Sequence, residues 1–69
     1  GADPASPLTA REAQVIALVG AGATNSEIAT ALVISESTVK SHVKHMLRKL
    51  GAANRAEAVS RYLGMLDGS

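Results

Sequence analysis

The side chains best able to do chemistry in this 69-residue chain lie close together. Lys40, Ser41, Lys44, His45 and Arg48 recur at three- and four-residue spacing, so on a helix they form one stripe of hydrogen-bond donors. Between Ser37 and Arg55 stand Lys40, Lys44, Arg48, Lys49 and Arg55 without an acid, whereas the rest of the chain sets Arg11 and Arg61 against Asp3, Glu12, Glu27, Glu36, Glu57 and Asp67. A chain of net charge +1 thus gathers its positive charge in one contiguous segment. The chemistry on offer is the donation of charged hydrogen bonds to anions and to base-edge acceptors.

Other chemistries find less support. His42 and His45 are three residues apart, half of a metal site, but no Asp, Glu or Cys has a spacing that completes it, and no metal is expected. Ser41 and His45 sit at i,i+4 with no third residue to orient the imidazole, and no carboxylates are paired on one helical face, so no catalytic residues are assigned. Gly20 and Gly22 resemble a fragment of a phosphate-binding loop, yet no strand precedes them and no Lys follows at the required position; a turn is the better reading, and no cofactor is implied. The absence of cysteine removes disulfides and thiolate zinc sites. No run approaches the roughly 18 apolar residues of a membrane span, and a cytoplasmic location is expected.

Hydrophobic residues make up 46% of the chain and aromatics 1%, the single Tyr62. A core of Ala, Val, Leu and Ile in one small domain favours helices joined by short turns. Thr9 followed by Glu12 marks a cap before Val15, Ile16 and Val19, predicting a helix over 10–20 that Gly20 and Gly22 terminate. Thr24 and Glu27 repeat the signal for a helix over 25–32, and Ser35 caps a long one over 36–50, with Gly51 at its end. Asn54 and Glu57 begin a fourth over 55–64. The expected core is Ile16, Val19, Ile28, Leu32, Ile34, Val39, Val43, Leu47 and Val59. Residues 8–66 form the domain, 1–7 a linker and 67–69 a tail.

The second helix, a turn of about three residues and the basic third helix make a helix-turn-helix, in an all-α fold of four helices. A B-form major groove about 12 Å wide admits one such helix, with Lys40 and Lys44 as donors to base edges and Ser41 small enough for close approach. Thr24, Asn25, Ser37 and Thr38 fall at helix starts, where backbone N–H groups favour phosphate. His45 is a further solvent or phosphate contact. Val59, Tyr62, Leu63 and Leu66 offer an apolar edge on the fourth helix, which suits either a second copy or another protein. RNA fits less well, because stacking aromatics beyond Tyr62 are missing.

Five blocks at these spacings, LTARE from Leu8, NSEIA from Asn25, LVISESTVKSHV from Leu32, KLGA from Lys49 and NRAEA from Asn54, resemble the LuxR/GerE-type helix-turn-helix domain. That domain closes NarL- and FixJ-like response regulators and quorum-sensing regulators, and the resemblance covers Leu8 to about Leu63. It implies sequence-specific binding of double-stranded DNA as the output domain of a bacterial transcriptional regulator, for example in a two-component system. The third helix would enter the major groove and the fourth would form a homodimer contact on DNA. Base-facing positions would be Lys40, Ser41 and Lys44, with phosphate contacts near Thr24, Asn25, Thr38, Lys49 and Arg55 and, from the basic face, Arg48. An upstream regulatory domain and RNA polymerase are the further partners it implies. Three positions depart from the family pattern: Ser41 replaces a usual valine, Ala52 a usual Val or Ile, and Ala23 a usual Leu or similar residue.

Overall fold

The computed structural model describes residues 8–66; the linker expected over 1–7 and the tail expected over 67–69 lie outside the described residues. Four helices follow in order, α1 (Ala10–Gly20), α2 (Asn25–Leu32), α3 (Glu36–Leu50) and α4 (Arg55–Leu66), with no strand among the described residues. The first three match the sequence expectation. The fourth runs on through Gly64 to Leu66, since a glycine inside a helix costs only about 1 kcal/mol and does not by itself stop it.

Each helix starts where a short polar side chain captures an orphan N–H group. Thr9 Oγ1 accepts from the Glu12 N–H at 3.1 Å while the Glu12 carboxylate accepts from the Thr9 N–H at 2.9 Å, and Thr24 with Glu27 repeats this at 3.1 and 2.8 Å. Ser35 Oγ accepts from the Thr38 N–H at 3.1 Å. Asn54 Oδ1 accepts from the Glu57 N–H at 2.9 Å, but here the glutamate reaches back one residue further, to the Ala53 N–H at 3.3 Å.

The first three helices end alike. In each, one residue in the left-handed region donates its N–H three residues back, and the next residue donates five back: Gly22 to Val19 and Ala23 to Leu18, Val33 to Thr30 and Ile34 to Ala29, Gly51 to Arg48 and Ala52 to Leu47. Glycine occupies that position at φ 91° and 65°; at the helix-turn-helix turn it is Val33, at φ 57°. A β-branched residue pays a steric penalty there that glycine does not. The Val33 side chain gains no burial in return, being 89% exposed.

These motifs turn the chain so that α1 packs on α2, α3 and α4, α2 on α3, and α3 on α4; the backbones of α2 and α4 do not approach each other. Val15, Ile16, Ile28, Val39 and Met46 fill the centre, with Leu8, Ala29, Val43, Leu50 and Ala58 around them. Of the expected core, Ile16, Ile28, Val39 and Val43 are buried, whereas Val19, Leu32, Ile34, Leu47 and Val59 are half-buried at its rim. A domain of this size has few positions that are covered from every side. Among the described residues no helix is long and apolar enough to cross a membrane.

Candidate nucleic-acid interface

Helix α3 presents two faces because its apolar residues, Val39, Val43, Met46 and Leu50, fall at three- and four-residue spacing and turn inward together. The remaining face carries Lys40, Ser41, Lys44, His45 and Arg48, all exposed and without a hydrogen bond or ion pair among the described residues. Lys40 and Lys44 are one turn apart and Ser41 lies beside them, so the structure brings the three expected base-facing residues onto one accessible surface. Ser37 and Thr38 are exposed at its amino end, where the Thr38 and Ser35 hydroxyls share a hydrogen bond of 2.9 Å. His42 is half-buried, and no group of three or more His, Asp or Glu side chains gathers among the described residues.

Two cations of the same basic segment behave differently. Lys49 Nζ donates to Glu12 Oε1 at 2.8 Å, an ion pair in which the Glu12 side chain is 5% exposed. Burial alone would raise the Glu12 pKa, but the hydrogen bond from Lys49, the Thr9 N–H and the lysine charge outweigh it and hold the carboxyl below its usual value. Arg55, the first residue of α4, donates through one guanidinium nitrogen to Asn25 Oδ1 at 2.7 Å and through the other to the Ala23 carbonyl at 3.1 Å. Thr24 is exposed with its hydroxyl engaged in the α2 cap, and Asn25 is half-buried under Arg55.

Sequence reasoning did not anticipate these tethers, although spacing held a signal for two of the residues. Glu12 stands at i relative to Val15, Ile16 and Val19, and Arg55 at i relative to Ala58, Val59 and Tyr62, so both occupy the inward stripe of their helices. A charge placed there requires a partner.

On α4 the expected apolar edge divides. Val59 and Tyr62 are half-buried and pack against the domain's own core, so they are less available to a second protein than their sequence pattern suggests. Leu63 is 54% exposed and Met65, not singled out from the sequence, 39%; the Leu66 side chain lies outside what is described.

Residues 6–62 match the family of bacterial regulatory proteins described as the luxR family. The HTH-type transcriptional regulator MalT of Yersinia pestis (strain Pestoides F) is 45% identical over 62 residues, which is 90% of this chain and 7% of that protein. The same figures hold for MalT of Yersinia pseudotuberculosis serotype IB (strain PB1/+). MalT of Serratia proteamaculans (strain 568) is 45% identical over 56 residues, 81% of this chain and 6% of that protein. The chain therefore spans less than a tenth of the length of these curated relatives.

Proposed function

The chain belongs to the luxR family of bacterial regulatory proteins and is a helix-turn-helix domain of transcription regulation, and on that premise we propose that α3 reads the major groove of double-stranded DNA while α4 joins two copies on it. The observation that carries this reading is the outer face of α3. Lys40, Ser41, Lys44, His45 and Arg48 form an accessible donor surface with no competing partner among the described residues, directly after a three-residue turn from α2. Lys40, Ser41 and Lys44 read base edges. Ser37, Thr38, His45 and Arg48 flank them on α3, Thr24 and Asn25 lie at the start of α2, and Lys49 has ammonium donors beyond the one Glu12 takes; together these position the phosphate backbone. Arg55, expected among the phosphate contacts, engages two of its five N–H donors within the fold.

The activity is binding, with no bond made or broken. Leu63 is the apolar residue of α4 best exposed for a two-fold contact, and an area this small would let the isolated domain dimerise chiefly on DNA. The signal that governs it comes from an upstream domain, a phosphoacceptor receiver or a ligand-binding module, and the bound domain acts on RNA polymerase in the cytoplasm. Selection of duplexes from a randomised library by the 69-residue chain tests the reading: a motif with two half-sites related by a dyad is expected. Equal affinity for single-stranded and duplex DNA, or no enriched motif, would contradict it.

A further inference from the structure

The backbones of α2 and α4 stay apart, and among the described residues the hydrogen bonds that join these two helices and the loop before α2 all come from Arg55. Its guanidinium spans two neutral acceptors two residues apart, the Ala23 carbonyl at 3.1 Å and Asn25 Oδ1 at 2.7 Å. Neither acceptor offers charge, so what Arg55 supplies is the rigid fork of its donors, which an ammonium cannot reproduce. A guanidinium only donates, and the Asn25 atom facing it must therefore be the amide oxygen. The two Asn25 N–H donors are then left unused by Arg55.

We propose that Arg55 is a positioning residue that fixes α2 against α4 and sets the orientation of the Asn25 amide, so that the helix-turn-helix and the helix joining two copies keep one mutual geometry. Its contribution to DNA binding rests on the function proposed above, whereas its control of the angle between α2 and α4 belongs to the free domain. Lys at this position keeps the charge and loses the fork; Asp in place of Asn25 keeps an acceptor for Arg55 and loses the amide donors.

Residual dipolar couplings of the 69-residue chain in wild type, Arg55→Lys and Asn25→Asp, with thermal melts as a check on folding, test the geometric part. In Arg55→Lys, α2 should turn relative to α4 while α1, α3 and α4 keep their mutual orientation; in Asn25→Asp the wild-type orientation should persist. Salt-dependent titration with a duplex enriched by the wild-type chain tests the rest. Arg55→Lys should lose about tenfold in affinity at fixed salt, as expected for losing hydrogen bonds to a charged donor, with an unchanged log-log salt slope. Wild-type couplings together with wild-type affinity in Arg55→Lys would overturn the proposal, because charge alone would then suffice. An Arg55→Ala variant with unchanged couplings and a slope reduced by roughly one would also overturn it, by making Arg55 a phosphate ligand. If the wild-type chain binds no duplex, the function fails and the couplings alone decide the positioning role.

Discussion

The two ends of α3 treat the same residue chemistry in opposite ways. Along its amino-terminal and central turns, Lys40 and Lys44 are exposed and unpaired among the described residues, as is Arg48 on the same face in the last turn, and the turn before α3 holds Val33 in the left-handed region at φ 57°. Beyond its carboxyl end, Gly51 takes the equivalent conformation at φ 65° without a Cβ to clash, and the neighbouring cations Lys49 and Arg55 are drawn into the fold by Glu12, Asn25 and Ala23. The exposed face leaves its cations unpaired; Lys49 ties α3 to α1, and Arg55 ties α4 to α2 and the loop before it. A run of positive charge in a sequence is thus two populations, and only the surroundings of each residue tell them apart.

The sharpest contrast in stability is expected between Lys49 and Lys44. Lys49→Ala strands a buried carboxylate that retains only the Thr9 N–H, which should cost about 1–2 kcal/mol, toward the lower part of the usual range because the Lys49 side chain is itself 38% exposed. In a domain this small that is a fall in Tm of roughly 4–8 °C for each kcal/mol. Lys44→Ala should leave the melt within about 0.5 kcal/mol of wild type, as for other exposed positions without partners. Equal Tm values for the two variants would erase the distinction.

The turn offers the next test. Replacing Val33 by Asn, which tolerates the left-handed region, should stabilise the domain by about 1 kcal/mol, since no buried contact of the isopropyl group is lost. The corresponding change at the other end, Gly51→Val, should destabilise it by a similar amount. Denaturant midpoints of both variants measure the pair, and the two effects should have opposite signs.

The smallest effect is the pH dependence of the tethered end. Glu12 has a folded pKa below 4.5, so its contribution is fully present at neutral pH, begins to decline as the pH falls below that value, and is lost as the pH passes through the lower folded pKa. Tm measured between neutral pH and mild acid should therefore fall less in Glu12→Gln than in wild type. Parallel curves would mean that the Lys49 pairing gives Glu12 no linkage to folding.

The limits of helices and their caps were legible in the sequence because they depend on residues three or four apart. Thr9 with Glu12, Thr24 with Glu27 and Ser35 with Thr38 act within a single turn. The tethers were not, because they join residues 37, 32 and 30 positions apart and depend on how the helices cross. The division of the α4 edge escaped for the same reason: periodicity puts Val59 and Tyr62 on one face, but only the position of α1 and α3 decides that this face packs inside the domain. The exposed stripe of α3 was readable, since its opposite face is apolar throughout and leaves no other orientation.

The central claim is that Lys40 and Lys44, free on the outer face of α3, read sequence while the tethered Lys49 and Arg55 hold the frame. It is tested most directly by the ratio of affinities for a selected duplex and a scrambled one, measured at fixed ionic strength for Lys44→Ala and Lys49→Ala with helical content checked for each. Lys44→Ala should lower that ratio by about 1–3 kcal/mol, the worth of a good specific base contact, while Lys49→Ala should weaken both duplexes together and leave the ratio near wild type. An unchanged ratio in folded Lys44→Ala, or a loss of discrimination confined to Lys49→Ala, would contradict the account.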